Sequence, residues 1–389
     1  MNNISALGKK CCGCAACEQV CPKHCIQMKP DEEGFLYPVI DTESCVDCGV
    51  CVKRCPVLSL KPAGNTPKVF SVKSKDTEML QKCSSGGVFP LLALQTIRSG
   101  GTVFGCAYDK SLRARHTAAR TESELEAMFG SKYVQSDTRG VYTEVKDELQ
   151  KGVPVLFSGT SCQVAGLVSF LGRDYDNLLT VDVLCHGVPS PLLFKRHMEY
   201  LGKKLGGEVK NFTFRCKDKG WGVFYRVETA DIKKVEHSHF DPYFSAFVEG
   251  KTVRESCYSC VCATPDRHAD ITLADFWGID DIDPKFFDKN GVSLVLVNTT
   301  KGDKAMNGLS SDIISKPQKF EDAVKKNSNL IKPTKRPACR DTIYQGMDGN
   351  YEEYVKTKLK IKSVLKKRIK MLVSFDTKRK IKQLIKHRG

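Results

Sequence analysis

Residues 11–22 read CCGCAACEQVCP and residues 45–56 read CVDCGVCVKRCP. Both fit one pattern, CxxCxxCxxxCP, with Cys11, Cys14, Cys17 and Cys21 in the first run and Cys45, Cys48, Cys51 and Cys55 in the second. Pro22 and Pro56 close the two runs. In such a pair the first three thiolates of a run wrap one [4Fe–4S] cluster, and the fourth crosses to the other. The spacing therefore assigns Cys11, Cys14, Cys17 and Cys55 to one cluster and Cys45, Cys48, Cys51 and Cys21 to a second. Zinc takes four ligands from paired CxxC units and fits two octads ending in Cys-Pro poorly. Cys12 and Cys25 fall off the pattern and read as bystanders.

The rest of the composition agrees with a metal-binding role for these residues. Ten of the nineteen cysteines lie in the first 55 residues. The opening MNNISALGKK has no apolar signal region, and the longest apolar run, near Val88 to Leu94, is too short to span a bilayer. These features predict a cytoplasmic protein, where disulfides are rare and clustered cysteines usually bind metal. The chain of 389 residues is long enough for two or three domains.

Composition divides the chain into a cysteine-rich module at 1–60, a linker at 61–68 (KPAGNTPK), a body at 69–345 and a basic stretch at 346–389. In the body, VFSVKS, GTVFGCAYD, ADITLADFWGID and VSLVLVNT read as strands, and GGVFPLLALQTIRSG reads as a helix ending at Gly100. PVLFSGTSCQVAGLVSFLG reads as strand, small-residue turn and helix, and LLTVDVLCHGVPSP as a buried strand with a loop. The expected fold class is an α+β ferredoxin-like N-terminal module, then a mixed α/β flavin-binding domain, then a basic helical tail.

A standard dinucleotide fingerprint is absent: no GxGxxG follows a strand, and GKT at 250–252 lacks the upstream glycine of a P-loop. Other segments carry the chemistry. Ser84, Ser85, Gly86 and Gly87 precede an apolar helix and could present N–H groups to a phosphate, or simply cap the helix. In GSKYVQSD, Lys132 could pair with a phosphate and Tyr133 could stack on a ring, or the segment could be a surface turn. Cys162 lies at a strand-to-helix turn, where N–H groups favour thiolate. Cys162, Cys185, Cys257 and Cys260 are four loop thiols, enough for a third [4Fe–4S] cluster, with a CxxC redox pair or a zinc site as competitors. No catalytic residue is identified from spacing.

Together, SSGG at 84–87, SKYVQS at 131–136, GTSCQVAGL at 159–167, CHGVPSP at 185–191, RCKDKGWG at 215–222, CYSC at 257–260 and RHADITLADFWG at 267–278 resemble the coenzyme F-420 hydrogenase/dehydrogenase beta-subunit family over roughly residues 1–345. The resemblance implies an iron–sulfur flavoprotein with FAD near the SSGG and SKY segments. It also implies a body cluster on Cys162, Cys185, Cys257 and Cys260, with Cys262 able to replace Cys260. A flavin converts two-electron hydride chemistry into single electrons that clusters carry. Implied partners are a ferredoxin or other electron donor or acceptor protein, and a deazaflavin or another organic substrate. An electron-transfer subunit docking on a catalytic partner is the alternative. Cys83, Cys106 and Cys216 are expected to be buried filler. Asp270 and Asp275 are expected to serve a buried hydrogen-bonded turn.

The net charge is +16, and residues 351–389 hold fourteen Lys or Arg against three acids. With Val355, Leu359, Leu365, Ile369, Leu372 and Val373 at helical spacing, this stretch could lie on an anionic membrane at its inner face or pack on the body. No nucleic-acid partner is expected, because the body carries no such motif.

Overall fold

A computed structural model of the chain describes residues 2–59 and 61–361. In the N-terminal module, β1 (Ile26–Pro30) and β2 (Leu36–Ile40) pair antiparallel, with Met28 opposite Pro38. The Asp31 carboxylate holds the turn between them by accepting from the backbone N–H of Glu33 and Phe35. The sequence repeat is also a backbone repeat. A short helix occupies each run, Ala16–Val20 and Val50–Lys53, and each opens on a left-handed residue, Ala15 and Gly49.

The body is built on β3 (Lys68–Ser74), β4 (Thr102–Tyr108), β5 (Ala114–Ala119), β6 (Val155–Thr160) and β7 (Leu178–Val183). A separate antiparallel sheet follows, of β8 (Asn211–Phe214), β9 (Phe224–Glu228) and β10 (Lys233–His237). The chain then returns to the large sheet as β11 (Ile271–Asp275), β12 (Ser293–Val297) and β13 (Ile313–Pro317). The eight strands run in the order β13-β3-β12-β11-β7-β6-β4-β5. The middle four, β11, β7, β6 and β4, are parallel, and antiparallel strands flank them on both sides. The large mixed α/β sheet domain expected from the sequence is present, as is the ferredoxin-like N-terminal region.

Strand alternation fills both faces of the sheet. Val103 and Leu156 join Val88 and Leu92 of the helix Val88–Arg98 on one face. Their neighbours Phe104 and Phe157 join Val145, Val164 and Leu167, from the helices Val141–Gln150 and Ser161–Leu171, on the other. Cys14 and Ala16 of the N-terminal module belong to this second cluster, so the two parts share a core.

The basic stretch begins differently from its sequence reading. The helix Tyr351–Thr357 buries Tyr351, Tyr354 and Val355, and Leu359 follows, all within the apolar cluster that contains Phe212 and Tyr243. Aromatic residues at i and i+3 supply enough apolar area to hold this turn on the body despite its lysines. Leu365, Ile369, Leu372 and Val373 lie outside the described residues. Among the described residues no helix is long and apolar enough to cross a membrane.

Candidate functional site

The carboxyl ends of the parallel strands position the body cysteines. β6 and β7 are adjacent and pair Thr160 with Val183. Cys162 and Cys185 each stand two residues beyond that pair, so they leave the sheet side by side. Gln163 Oε1 accepts from the Thr160 N–H at 3.0 Å and so fixes the start of the helix that carries Cys162. The loop after β7 folds back so that the Gly187 N–H donates to Cys185 Sγ at 3.3 Å. The short turn Glu255–Ser259 and its continuation bring Cys257, Cys260 and Cys262 to the same place.

These five cysteines and Cys12 border one cavity of about 370 Å³. Among the described residues no three His, Cys, Asp or Glu gather tightly enough for a single metal ion. Six thiols ring a volume instead, a donor set that suits a multi-atom cluster. The Cys162 thiol is pushed well up, first by its hydrogen bond with Cys12 and then by burial. Burial, with Cys162 nearby, pushes Cys185 up to about 12. The exception is Cys260, held down at about 6 by the hydrogen bond from Cys262 and by backbone N–H groups, against burial. A cationic centre is what would ionise such thiols together, since metal ligands must be deprotonated. Arg267 supplies one fixed positive charge beside the cavity. It is 2% exposed, donates to Ser161 Oγ at 2.7 Å and to the Cys262 carbonyl at 3.1 Å, and lies 3.6 Å from Asp182.

In the N-terminal module Cys11, Cys14, Cys17, Cys21, Cys51 and Cys55 are buried, Cys45 is half-buried and Cys48 is exposed. Burial, then the neighbouring Cys11 and Cys55, pushes the Cys17 thiol up. Cys21 leaves its own run to border a small cavity with Cys45, Cys48 and Cys51. The two bystanders are placed otherwise than the spacing suggested. Cys25 shares that small cavity, with its sulfur 3.4 Å from that of Cys21. Cys12 faces the body cavity, because successive residues of the extended loop project to opposite sides.

A second cavity, of about 290 Å³, lies against the first. The two share Thr160, Cys162, Cys185, His186, Gly187 and Val188 as a common wall. Ser84, Ser85 and Gly87 border the second cavity, as do Lys132 and Tyr133. The two sequence segments meet directly: Ser84 Oγ accepts from Ser131 N–H at 2.8 Å and from Ser131 Oγ at 2.9 Å. Gly86 is packed beneath, where a Cβ would come within 2.3 Å of the Val72 carbonyl oxygen. Lys132 Nζ donates to the carbonyls of Ala127 and Phe129, and burial lowers its pKa to about 8. Tyr133 packs among Phe214, Phe244 and Phe247, with its hydroxyl 3.2 Å from Arg215. Cys83 and Cys106 also border this cavity.

Two further segments converge at its edge. Arg215 makes a two-pronged ion pair with Asp275, which also accepts from Trp221 Nε1, and Trp221 stacks on Trp277 at 5.0 Å. Asp270 accepts from Thr180 and Thr299, a buried hydrogen-bonded turn. His116 borders the cavity too, and no spacing rule singles it out.

Cysteine octads beside a mixed α/β sheet with thiols at its carboxyl edge define an iron–sulfur protein. Residues 10–58 match a 4Fe-4S dicluster domain, and residues 153–322 match the C-terminal part of the beta subunit of coenzyme F420 hydrogenase/dehydrogenase. The chain belongs to the coenzyme F420 hydrogenase/dehydrogenase beta-subunit family and carries an N-terminal 4Fe-4S dicluster domain. It is 36% identical over 74 residues to an uncharacterized ferredoxin of Methanocaldococcus jannaschii, which is 19% of this chain and 88% of that one. It is 44% identical over 46 residues to ferredoxin-1 of Caulobacter vibrioides, 12% of this chain and 36% of that protein. It is 42% identical over 66 residues to NADH-quinone oxidoreductase subunit I 2 of Geobacter metallireducens, 16% and 50% of the two chains. The chain thus spans most of the first relative and half or less of the other two. The F420-reducing [NiFe] hydrogenase complex of Methanosarcina barkeri contains a chain that aligns with a TM-score of 0.47 at 19% identity, over 77% of this chain and 91% of that one.

Proposed function

We propose that the protein is an iron–sulfur flavoprotein oxidoreductase. It passes single electrons among the dicluster module, a third [4Fe–4S] cluster in the body and FAD. Coenzyme F-420 or another organic substrate exchanges hydride with the flavin. The observation that carries this reading is the common wall of the two cavities, formed by Cys162 and Cys185.

In this reading Cys162, Cys185, Cys257 and Cys260 hold the body cluster, with Cys262 as the alternative to Cys260. Cys11, Cys14, Cys17 and Cys55 hold one dicluster site, and Cys21, Cys45, Cys48 and Cys51 the other. The flavin, when bound, supplies the conversion between hydride and single electrons. Ser84, Ser85, Gly86 and Gly87 shape its cradle, and the uncapped start of the helix Val88–Arg98 favours its phosphates. Lys132 and Tyr133 form the opposite side. A ferredoxin or other redox protein exchanges electrons at the dicluster end. The basic stretch after residue 350 gives the protein an affinity for an anionic membrane surface.

One observation favours a second reading, a non-catalytic electron-transfer subunit docked on a catalytic partner. The Lys132 ammonium and the Tyr133 ring are already engaged within the protein. Anaerobic analysis of iron, sulfide and flavin, with EPR of the reduced protein, separates the readings. About twelve irons per chain, from three four-iron clusters, and one flavin are expected. About eight irons would remove the body cluster, and twelve without flavin would leave the electron-transfer subunit.

A further inference from the structure

The loop from Cys11 to Cys14 faces two sites at once. Cys11 stands with Cys17 and Cys55 on the dicluster side. Cys12 borders the body cavity. Its thiol is in hydrogen-bond contact with Cys14 on one side and Cys162 on the other. Three body side chains hold the loop in this orientation. Arg254 Nε donates to the Cys11 carbonyl at 2.7 Å, Gln135 Nε2 to the Cys12 carbonyl at 3.0 Å, and Thr138 Oγ1 to the Cys14 carbonyl at 2.9 Å. At Gly13 a Cβ would meet Gln135 Nε2 at 2.7 Å, and φ is +75°, so glycine is what lets the loop lie this close.

We propose that Cys12 is a positioning thiol that couples the first dicluster site to the body site without ligating either cluster. The proposal rests on the body cavity holding a cluster, as read above. Cys14 and Cys162 as cluster ligands are thiolates and have no proton to give. Cys12 is therefore the S–H donor between them. A hydrogen bond to a ligand sulfur raises the potential of its cluster, and an unbroken sulfur–sulfur–sulfur contact replaces a through-space gap. The step is one electron: the dicluster-side cluster is oxidised by one, the body cluster is reduced by one, and Cys12 keeps its proton with no bond made or broken.

The test compares wild type with Cys12→Ala and Cys12→Ser, all as anaerobically purified holoprotein. Iron should stay at about twelve per chain in all three. In Cys12→Ala the body cluster should titrate at lower potential by EPR, and its reduction after flash photoreduction of the dicluster module should slow roughly tenfold. Cys12→Ser, nearly isosteric and still a donor, should recover most of both. Unchanged potential and rate in Cys12→Ala would make Cys12 a bystander and overturn the proposal. Loss of about four irons in the variants would make Cys12 a ligand and overturn it equally. If Cys12→Ala does not fold, Cys12→Ser decides alone: iron lost from it overturns the proposal, and near-native potential supports it. Wild type with about eight irons would fail at the body-cluster reading itself, which is separate from any effect of the variants.

Discussion

The Arg254 guanidinium donates from Nε to the carbonyl oxygen of Cys11 at 2.7 Å, across 243 positions of chain. The same fully buried side chain donates to the Leu36 carbonyl at 2.8 Å and to Gln135 Oε1 at 3.1 Å, and lies 4.0 Å from the centre of the Tyr37 ring. Arg254 thus ties both the first cysteine loop and the hairpin to the body. Arg254→Met keeps the length and removes every donor, leaving buried carbonyls unpaired. It should destabilise the holoprotein by about 3 kcal/mol in denaturant unfolding and expose the 61–67 linker to protease. A variant as stable and as protease-resistant as wild type would show that the module is held by other contacts.

Gly166 faces the first cysteine loop from the helix Ser161–Leu171. A Cβ there would come within 2.9 Å of Cys14 Cβ, 3.0 Å of Cys14 Sγ and 2.9 Å of the Tyr142 hydroxyl oxygen. Gly166→Ala should cost about 1–3 kcal/mol from overpacking. It should also alter the EPR spectrum of the dicluster module while iron content is retained. Wild-type spectra in that variant would mean that Cys14 has room to yield.

Ser84 joins the two segments assigned to the flavin by accepting two hydrogen bonds from Ser131. Ser84→Ala leaves the Ser131 N–H without its partner at the cavity edge. Flavin affinity should fall roughly tenfold, about 1.4 kcal/mol, with iron per chain unchanged. Flavin fluorescence titration of the deflavinated protein measures it, and an unchanged affinity would detach these segments from the flavin site.

His116 gives the protein an acid limit. Its Nε2 donates to the Ser158 carbonyl at 2.9 Å, so Nδ1 accepts from the Ser136 hydroxyl, and the ring stacks on Phe157. Burial lowers its pKa to about 4. As pH falls below about 6.5 the unfolded chain takes up a proton that the folded protein refuses. Stability is therefore full above that pH and declines as pH falls toward 4. The decline from this residue should be about 2 kcal/mol between pH 7 and pH 5. Urea midpoints at the two pH values, compared with His116→Gln, read it: the variant should lose about that much less, and an identical loss would assign the acid sensitivity elsewhere.

The strands at 68–74, 102–108, 155–160, 178–183, 271–275 and 293–297 were legible because β-branched and apolar runs mark buried strands. β5, ARHTAA, was not, since it carries Arg115 and His116 and pairs at the sheet edge. β13, IISKP, is a mostly exposed edge strand and carries the same weak signal. The start of the basic stretch misled for the opposite reason. Its lysines dominate the composition, while Tyr351, Tyr354 and Val355 decide its packing.

By itself the sequence determined the dicluster module, because cluster ligation within each octad is local: three thiols over seven residues must wrap one centre whatever surrounds them. It also marked Cys162, Cys185, Cys257 and Cys260 as candidates, without showing that they share a place. Only the tertiary structure decided that these thiols and Cys262 ring one cavity, that Cys12 joins them from the other module, and that Ser84 and Ser131 meet beside it. Those contacts are set by strand order and by side chains such as Arg254, which bind loops far apart in the chain. No spacing rule reaches across such separations, because side-chain direction there depends on the backbone of both partners.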